Sequence, residues 1–254
     1  MSLRAKFHPT SILITGAAGG IGAALARVYA QPGVCLFLGD ANLQGLATLA
    51  AECRAQGAEA HATQVDVTDR AAMAAWIQAA DKIKPLDLVI LLAGVAYGSA
   101  AQEETPAETR RTFAINLDGM LNAVEPVLPL FRRRGRGQLA LMSSHGACRG
   151  FPIAHSYSAT KAAIRVFGEG LQARLRRENI FVSVIIPGFV QTPFTENNDF
   201  PMPFAVSAPR AARIIQRGLA RARPRICFPW QMNAAVFLLS LLPQALVDRF
   251  VALK

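Results

Sequence analysis

Apolar and polar positions along this chain follow a pattern typical of a parallel α/β sheet. Short apolar runs alternate with longer, Ala-rich segments of helical composition. The runs predict seven strands, near 11–15, 34–39, 61–65, 87–92, 138–143, 180–186 and 225–228. Alternating strands and helices imply an α/β, Rossmann-type, doubly wound parallel sheet with helices on both faces. A ligand is then expected in the crevice beyond the carboxyl ends of the strands.

The size and composition of the chain fit one domain. With 254 residues and 52% hydrophobic content, it can bury a sizeable core. No internal repeat or low-complexity linker divides it. We therefore predict a single domain over residues 1–254, in which 229–254 form an apolar helical C-terminal extension.

A glycine-rich turn follows the first predicted strand. Gly16, Gly20 and Gly22, with Ile21 between the last two, stand where the chain would leave the strand and begin a helix. Such glycines let the backbone turn tightly and approach a pyrophosphate at the helix N-terminus. Their Gly-x-x-x-Gly-x-Gly spacing is not the commonest fingerprint, and an ordinary tight turn is the alternative explanation.

Asp40, at the end of the second predicted strand, supports the nucleotide interpretation. Its distance from the glycines suits a carboxylate that accepts hydrogen bonds from the ribose hydroxyls of adenosine. A carboxylate there repels a 2′-phosphate, and Gly19 and Ala41 offer no basic side chain to bind one. We expect NAD(H) to be preferred over NADP(H), with a turn or helix-capping role for Asp40 as the alternative.

Tyr157 and Lys161 form the candidate catalytic pair. Residues i and i+4 share a helix face, so the ammonium lies within reach of the phenol. A phenol has a reference pKa of about 10 and is a poor acid or base at neutral pH, and an adjacent cation favours the phenolate. Such a pair alone could be an ordinary exposed helix face. The glycine turn upstream and Ser144 favour a proton-transfer site beside a dinucleotide.

These motifs together resemble the short-chain dehydrogenase/reductase family, from about Ser11 to Phe228. The resemblance is carried by several independent elements in the family's order, which are the turn Thr15 to Gly22, Asp40, Asp66-Val67, Ala93-Gly94, Asn116, Ser143-Ser144, Tyr157 with Lys161, and Pro187-Gly188 followed by Thr192.

The resemblance implies a role for each matching position. Tyr157 would be the general acid/base, and Ser144 would orient the same substrate oxygen. Lys161 would lower the pKa of Tyr157 and hold the nicotinamide ribose, while Asn116 would hold a water that connects Lys161 to solvent. The remaining implied cofactor-binding positions are Gly16, Gly20, Ile21, Gly22, Asp40, Asp66, Val67, Ala93, Gly94, Pro187, Gly188, Val190 and Thr192.

One departure from the family pattern lies at the end of the fourth predicted strand. Leu91-Leu92 precede Ala93-Gly94, where the family usually has two asparagines. The change puts the local strand hydrogen bonding in doubt and makes this part of the cofactor pocket more apolar.

The net charge, the cysteines and the histidines do not indicate a further function. The net charge is +10, but the arginines of 132–136 are expected to end a helix with Gly135 as its C-cap, and nucleic-acid binding is not predicted. The four cysteines and four histidines show no metal-ligand spacing, so we expect reduced structural thiols and no metal. His145 follows Ser144, and a solvent-facing or loop-satisfied ring is favoured over one facing substrate.

The apolar extension leaves three alternatives open: a lid over the substrate pocket, an oligomer interface, or a helix on a membrane surface. We expect two short helices, about 232–242 and 243–253, with Pro243 in the first turn of the second. Interruptions such as Asp248 argue against a membrane-spanning helix. The polar N-terminus does not resemble a signal peptide, so a cytoplasmic protein is expected.

The sequence thus predicts an NAD(H)-dependent oxidoreductase that interconverts an alcohol and a ketone or aldehyde, as a homodimer or homotetramer. The alternatives are a non-catalytic dinucleotide sensor or scaffold, and a membrane-surface enzyme acting on lipid-like substrates. The expected pocket wall is rich in Phe and Pro and favours an apolar substrate; it comprises His145, Cys148, Phe151, Phe189 and 193–204.

Overall fold

Seven parallel strands form the central sheet, in the order β3-β2-β1-β4-β5-β6-β9. The computed structural model describes residues 7–98, 102–150, 154–196, 198 and 200–243. The strands are β1 (Ser11–Thr15), β2 (Cys35–Asp40), β3 (Glu59–Gln64), β4 (Leu88–Leu91), β5 (Gly137–Met142), β6 (Ile180–Pro187), β7 (Val190–Gln191), β8 (Val206–Ser207) and β9 (Arg225–Phe228). β7 and β8 pair with each other outside the main sheet.

In the described part of the chain, eight α-helices connect or follow the strands. They are α1 (Gly20–Tyr29), α2 (Leu43–Ala55), α3 (Arg70–Ile83), α4 (Pro106–Phe113), α5 (Gly119–Arg134), α6 (His155–Leu175), α7 (Ala208–Leu219) and α8 (Trp230–Ser240). A π-helical segment, Ala114–Asp118, joins α4 to α5, and a 3-10 turn, His145–Cys148, follows β5. The strand order confirms the predicted doubly wound sheet.

The seven predicted strands are all present, with ends that differ by at most two residues. Periodicity did not predict β7 and β8, because two-residue strands are too short to carry it. The predicted end of the arginine-rich helix is confirmed. Arg132 to Arg134 form the last turn of α5, and Gly135 follows in a left-handed conformation with a φ of 62°.

Both faces of the sheet are buried under helices. One apolar cluster joins the sheet to α1, α2 and α7, and a second joins it to α3, α5 and α6. The central strands are therefore mainly apolar rather than alternating, and β1, β4 and β5 are buried along their whole length.

The apolar tail begins with α8, two residues before the expected start. Trp230 and Phe237 on this helix, and Leu241 directly after it, are between 62% and 74% exposed. The second expected helix, about 243–253, lies outside the described residues after its first position. Within the described part of the chain, no helix has the length and apolar character needed to cross a bilayer.

Candidate active site at the carboxyl edge of the sheet

The glycine turn is held tightly between β1 and the end of β4. Gly16 has a φ of +66°, and a β-carbon there would stand 2.8 Å from the backbone nitrogen of Ala93. A β-carbon at Gly22 would stand only 2.1 Å from the Gly16 carbonyl oxygen. Both positions therefore require glycine on steric grounds, which allows α1 to start directly above the strand end.

The N-terminus of α1 is suited to an anion. Gly19 is its N-cap and provides no side-chain cap, and the first turn contains no acidic residue. The amides of Gly20, Ile21 and Gly22 lie in this first turn, where backbone N–H groups have no intrahelical acceptor. A β-carbon at Gly20 would meet the Thr192 side chain at 2.4 Å, so Thr192 lies directly beside the turn.

Asp40 lies on the same edge, at the end of β2. Its carboxylate accepts hydrogen bonds from the backbone N–H of Ala18 at 3.0 Å and from that of Asn42 at 3.0 Å. These two bonds orient the carboxylate beside the glycine turn. Each carboxylate oxygen retains a lone pair for a further donor, so the turn role and the expected ribose role are compatible.

Asp66 and Val67 follow β3 farther along the edge. Asp66 is exposed, and its Oδ1 accepts from the backbone and the hydroxyl of Thr68, both at 2.8 Å. Val67 is buried against Gly119, where an added β-carbon would lie 2.6 Å from a Val67 methyl carbon. The exposed carboxylate is accessible to an adenine, whereas the Val67 side chain is part of the core.

Tyr157, Lys161 and Ser144 come together beyond β5. The Lys161 Nζ lies 5.5 Å from the centroid of the Tyr157 ring and donates to the Met142 carbonyl at 3.0 Å. Ser144 and Tyr157 both lie beside Gly146, where an added β-carbon would stand 3.5 Å from Ser144 Oγ and 3.6 Å from Tyr157 Cε1. Ser144 Oγ accepts from the backbone N–H of Gly146 at 3.1 Å. The predicted helical spacing thus places the phenol and the ammonium on one face of α6.

Burial dominates the electrostatics of this pair. It raises the pKa of Tyr157 above its usual value, and the nearby Ser144 hydroxyl only partly opposes this. Burial also lowers the pKa of Lys161 to about 8. The expected lowering of the Tyr157 pKa is therefore not a property of the chain alone, because burial disfavours the charged phenolate.

Asn116 connects three segments from within the π-helical turn. Its Oδ1 accepts from the Val95 N–H at 2.7 Å, and its Nδ2 donates to the Val95 carbonyl at 2.9 Å and to the Thr160 hydroxyl at 3.1 Å. Thr160 in turn donates to the Tyr157 carbonyl at 2.8 Å. No role was predicted for Thr160, which fixes α6 against the π-helical turn. No motif marks this contact, because it depends on how two helices meet.

Gly94 brings Asn116 and Lys161 close together. A β-carbon at Gly94 would stand 3.1 Å from Asn116 Oδ1 and 3.3 Å from Lys161 Nζ. Ala93, the neighbouring predicted residue, is half-buried beside Gly16. Any larger residue at 94 would separate the two polar groups.

Thr15 restores the hydrogen bonding that Leu91-Leu92 had put in doubt. Its hydroxyl accepts from the backbone N–H of Leu92 at 3.2 Å and from that of Ala93 at 3.4 Å. Leu91 is 4% exposed within the core, while Leu92 packs against the opposite cluster. The end of β4 is therefore anchored to β1 without asparagine.

The segment after β6 closes the site from the other side. Pro187 ends β6, and the Gly188 N–H donates to the Phe228 carbonyl at 2.7 Å. Val190 is buried in β7, and the Thr192 hydroxyl donates to the Val190 carbonyl at 3.4 Å. These residues hold the loop that carries Phe194, whose ring centroid lies 6.1 Å from that of Tyr157.

The favoured expectation for His145 was wrong in part, because the ring is not solvent-facing. It is 4% exposed, and its Cδ2 lies 3.5 Å from where a Gly188 β-carbon would be. Burial lowers its pKa, and a hydrogen bond to the Phe228 backbone opposes this change. Its Nε2 has no hydrogen-bond partner among the described residues. Of the other expected wall residues, Phe151 lies outside the described residues.

The fold and this edge define a class: a doubly wound nucleotide-binding domain with a tyrosine, a lysine and a serine beside the nucleotide crevice. Residues 10–201 match the family model of the short chain dehydrogenases. The chain belongs to the short-chain dehydrogenase/reductase family.

Similar proteins and a similar crystal structure support the same family over most of the chain. An uncharacterized oxidoreductase of Myxococcus xanthus is 34% identical over 245 residues, covering 96% of this chain and 97% of the relative. The human 17-beta-hydroxysteroid dehydrogenase 13 is 28% identical, covering 92% of this chain and 79% of the relative. The crystal structure of levodione reductase superposes with a TM-score of 0.80 at 26% identity, over 88% of this chain and 97% of the other.

Proposed function

We propose that this oxidoreductase interconverts an alcohol and a ketone or aldehyde, with NAD(H) as the preferred cofactor. The single observation that carries the proposal is the meeting of Tyr157, Ser144 and Lys161 beside the glycine turn. A β-carbon at Gly146 would stand 3.5 Å from Ser144 Oγ and 3.6 Å from Tyr157 Cε1, so the two side chains border one small space and one substrate oxygen can contact both hydroxyls. Because the cofactor transfers the hydride in carbonyl reduction, the protein needs only to position the carbonyl group and donate a proton and hydrogen bonds to its oxygen.

The proton step uses groups of this chain. In the reducing direction, the Tyr157 hydroxyl donates its proton to the substrate oxygen while Ser144 donates a hydrogen bond to the same atom. Lys161, with a pKa of about 8, is largely protonated at neutral pH and stabilises the phenolate that remains. Asn116 and Thr160 hold α6 in place, and the π-helical turn is the proposed position of a water that returns the proton.

The residues at the edge fit a dinucleotide, which when bound would supply or accept a hydride. The amides of Gly20, Ile21 and Gly22 would hold its pyrophosphate and Asp40 its adenosine ribose. Asp66 with Val67 would bind adenine, and Ala93 with Gly94 would border the same crevice. Tyr157 and Lys161 would hold the second ribose, and Pro187, Gly188, Val190 and Thr192 would line the nicotinamide. The uncapped, acid-free start of α1 supports this arrangement.

An apolar substrate is part of the proposal. Phe194 lies beside Tyr157, and the rings of Phe189 and Phe200 contact each other with centroids 5.9 Å apart in the same loop region. Two relatives have names that specify cyclic substrates, a hydroxysteroid and 2,5-dichloro-2,5-cyclohexadiene-1,4-diol; the second relative, LinX of Sphingobium indicum, is 32% identical over 73% of this chain. A cytoplasmic homodimer or homotetramer belongs to the same proposal.

The test is the loss of one hydroxyl. Tyr157→Phe should lower turnover of a ketone panel with NADH by about two to four orders of magnitude, the usual contribution of acid/base catalysis. NADH affinity should stay nearly constant, and Tyr29→Phe, which removes a buried phenol hydroxyl from α1, should leave turnover unchanged. Activity near the wild-type level in Tyr157→Phe would exclude the assignment. A wild type that binds NADH but reduces nothing would instead favour a sensor or scaffold.

A membrane-surface enzyme acting on lipid-like substrates is the second candidate. It is favoured by the exposed apolar residues of α8, which lies next to the proposed site through its contacts with the His145–Cys148 turn. Co-sedimentation of the full chain with liposomes, lost when residues after Trp230 are removed, would support it.

A further inference from the structure

A thiol, a carboxylate and an imidazole converge at the opposite end of the sheet from the proposed active site. β2 and β3 are parallel, with Cys35 paired to Glu59 and Phe37 paired to His61. Alternate residues of a strand point to the same face, so these four side chains share one face at the start of both strands. The sequence separates Cys35 from Glu59 by the whole of α2, which is why no ligand spacing was visible in it.

The three polar groups lie close together. His61 Nε2 lies 2.8 Å from Glu59 Oε1, and the Glu59 carboxylate is near enough to the Cys35 thiol to help raise its pKa. One ligand atom from each residue lies within 4.8 Å of the other two. The His61 ring stacks on Phe37, with centroids 5.1 Å apart and planes 12° apart, which fixes the direction of its nitrogen.

We propose that Cys35, Glu59 and His61 bind one divalent transition-metal ion, with Zn²⁺ as the best match. Thiolate, imidazole and carboxylate are the ligands that Zn²⁺ takes in proteins, and a water would complete a tetrahedron. Zinc–ligand bonds of about 2.0–2.3 Å imply ligand separations of about 3.3–3.8 Å in that geometry. His61 Nε2 and Glu59 Oε1 are closer than this, at 2.8 Å, so the two surface side chains must move apart for an ion to bind between them. The thiolate and the carboxylate together balance the charge of the ion.

The surroundings of the cluster set the conditions for binding. Burial raises the pKa of Cys35 to about 11, so the ion must displace the thiol proton, and binding weakens as the pH falls. Glu59 and His61 are at the surface, with side chains 59% and 36% exposed, which leaves the ion a path of entry. Lys84, which donates to the Gly33 carbonyl at 3.0 Å, carries a positive charge close to Cys35 and Glu59 and opposes a cation.

Metal binding would join β3, at the end of the sheet, to β2. An ion that binds the folded state alone stabilises it by mass action. At about a hundred times its dissociation constant, Zn²⁺ should raise the Tm by roughly 5–10 °C. This effect needs neither substrate nor NADH, so it can be measured whether or not the proposed enzyme activity is found.

Cobalt titration of the chelator-treated full chain tests the proposal. We expect one Co²⁺ per chain, a sulfur-to-cobalt charge-transfer band, and loss of that band when one equivalent of Zn²⁺ is added. Cys35→Ser should abolish the band, while Cys53→Ser, which changes a buried thiol on α2, should retain it. No band in the wild type, or an unchanged band in Cys35→Ser, would overturn the site.

Surface variants keep the test decisive if Cys35→Ser does not fold. His61→Gln and Glu59→Gln should each weaken Zn²⁺ binding at least tenfold in calorimetric titration, and His8→Gln should not. Lys84→Met should tighten binding, because it removes the opposing charge. An affinity in His61→Gln equal to that of the wild type would overturn the proposal.

Discussion

At the scale of single residues, the site combines a neutral phenol with an ammonium whose charge is disfavoured by burial. Lys161 is 3% exposed, and its ammonium donates to one described acceptor, the Met142 carbonyl. The 2′- and 3′-hydroxyls of a bound ribose would supply further acceptors for this ammonium. Without a cofactor, the buried charge of Lys161 therefore costs free energy, and hydrogen bonds to a bound ribose would reduce that cost.

The pH dependence of stability should reveal this state. Burial lowers the pKa of Lys161 from 10.5 to about 8, so between these values the unfolded chain holds a proton that the folded chain has released. Stability attributable to Lys161 must then rise with pH through that window. Relative to Lys161→Met, the wild type should gain roughly 2 kcal/mol between pH 7.5 and 10, measured by urea unfolding. Parallel pH profiles of the two proteins would contradict the assignment.

Asp40 should determine which dinucleotide is bound. Because its oriented carboxylate repels a 2′-phosphate, the wild type should bind NADH more tightly than NADPH in calorimetric titration. Asp40→Ala should reduce the ratio of the NADH affinity to the NADPH affinity by about tenfold, equivalent to about 1.4 kcal/mol of binding free energy. Asp40→Asn is the matched control for structure, since it removes the charge but can still accept the Ala18 N–H. Tighter binding of NADPH by the wild type would refute the prediction.

At the scale of elements, the start of α1 depends on the absence of one methyl group. A β-carbon at Gly22 would overlap the Gly16 carbonyl oxygen, which is backbone and cannot turn away. Gly22→Ala should therefore destabilise the fold by about 1–3 kcal/mol and weaken NADH binding. Gly170→Ala, in an open and exposed part of α6, should instead stabilise it by about 0.5–1 kcal/mol. Equal urea midpoints for the two variants would show that the steric argument is wrong.

The strands were predictable because strands buried on both faces form short, mainly apolar runs, such as Ile12 to Ile14 in β1 and Leu139 to Met142 in β5. Tyr157 and Lys161 were predictable because helical spacing places them on one face. The role of Thr160 was not, since its hydrogen bond to Asn116 spans 44 residues and depends on how two helices meet. The Cys35 cluster was missed for the same reason, because strand register and not sequence distance brings its members together.

At the scale of the whole molecule, α8 has one side against the proposed site and one side toward solvent. A β-carbon at Gly188 would stand 3.2 Å from Met232 Cγ and 3.1 Å from Pro229 Cδ. The outer side carries Trp230 and Phe237, and Arg149 donates to the Leu242 carbonyl just after the helix. The lid alternative and the two interface alternatives therefore concern different sides of one helix and do not exclude each other.

Removing the two sides separately should show which alternatives hold. Deletion of residues after Pro229 removes Met232 from the wall near Gly188, so we expect the Michaelis constant for an apolar ketone to rise by about tenfold or more. A variant with Trp230, Phe237 and Leu241 all changed to Ser should keep that constant but change the oligomer mass or the partitioning onto liposomes, because it removes only outward apolar surface. Mass photometry and liposome co-sedimentation distinguish these last two outcomes. If the truncated chain keeps the wild-type Michaelis constant, oligomer mass and liposome partitioning, then the lid, oligomer-interface and membrane-surface alternatives all fail, and the tail is only a packed terminus.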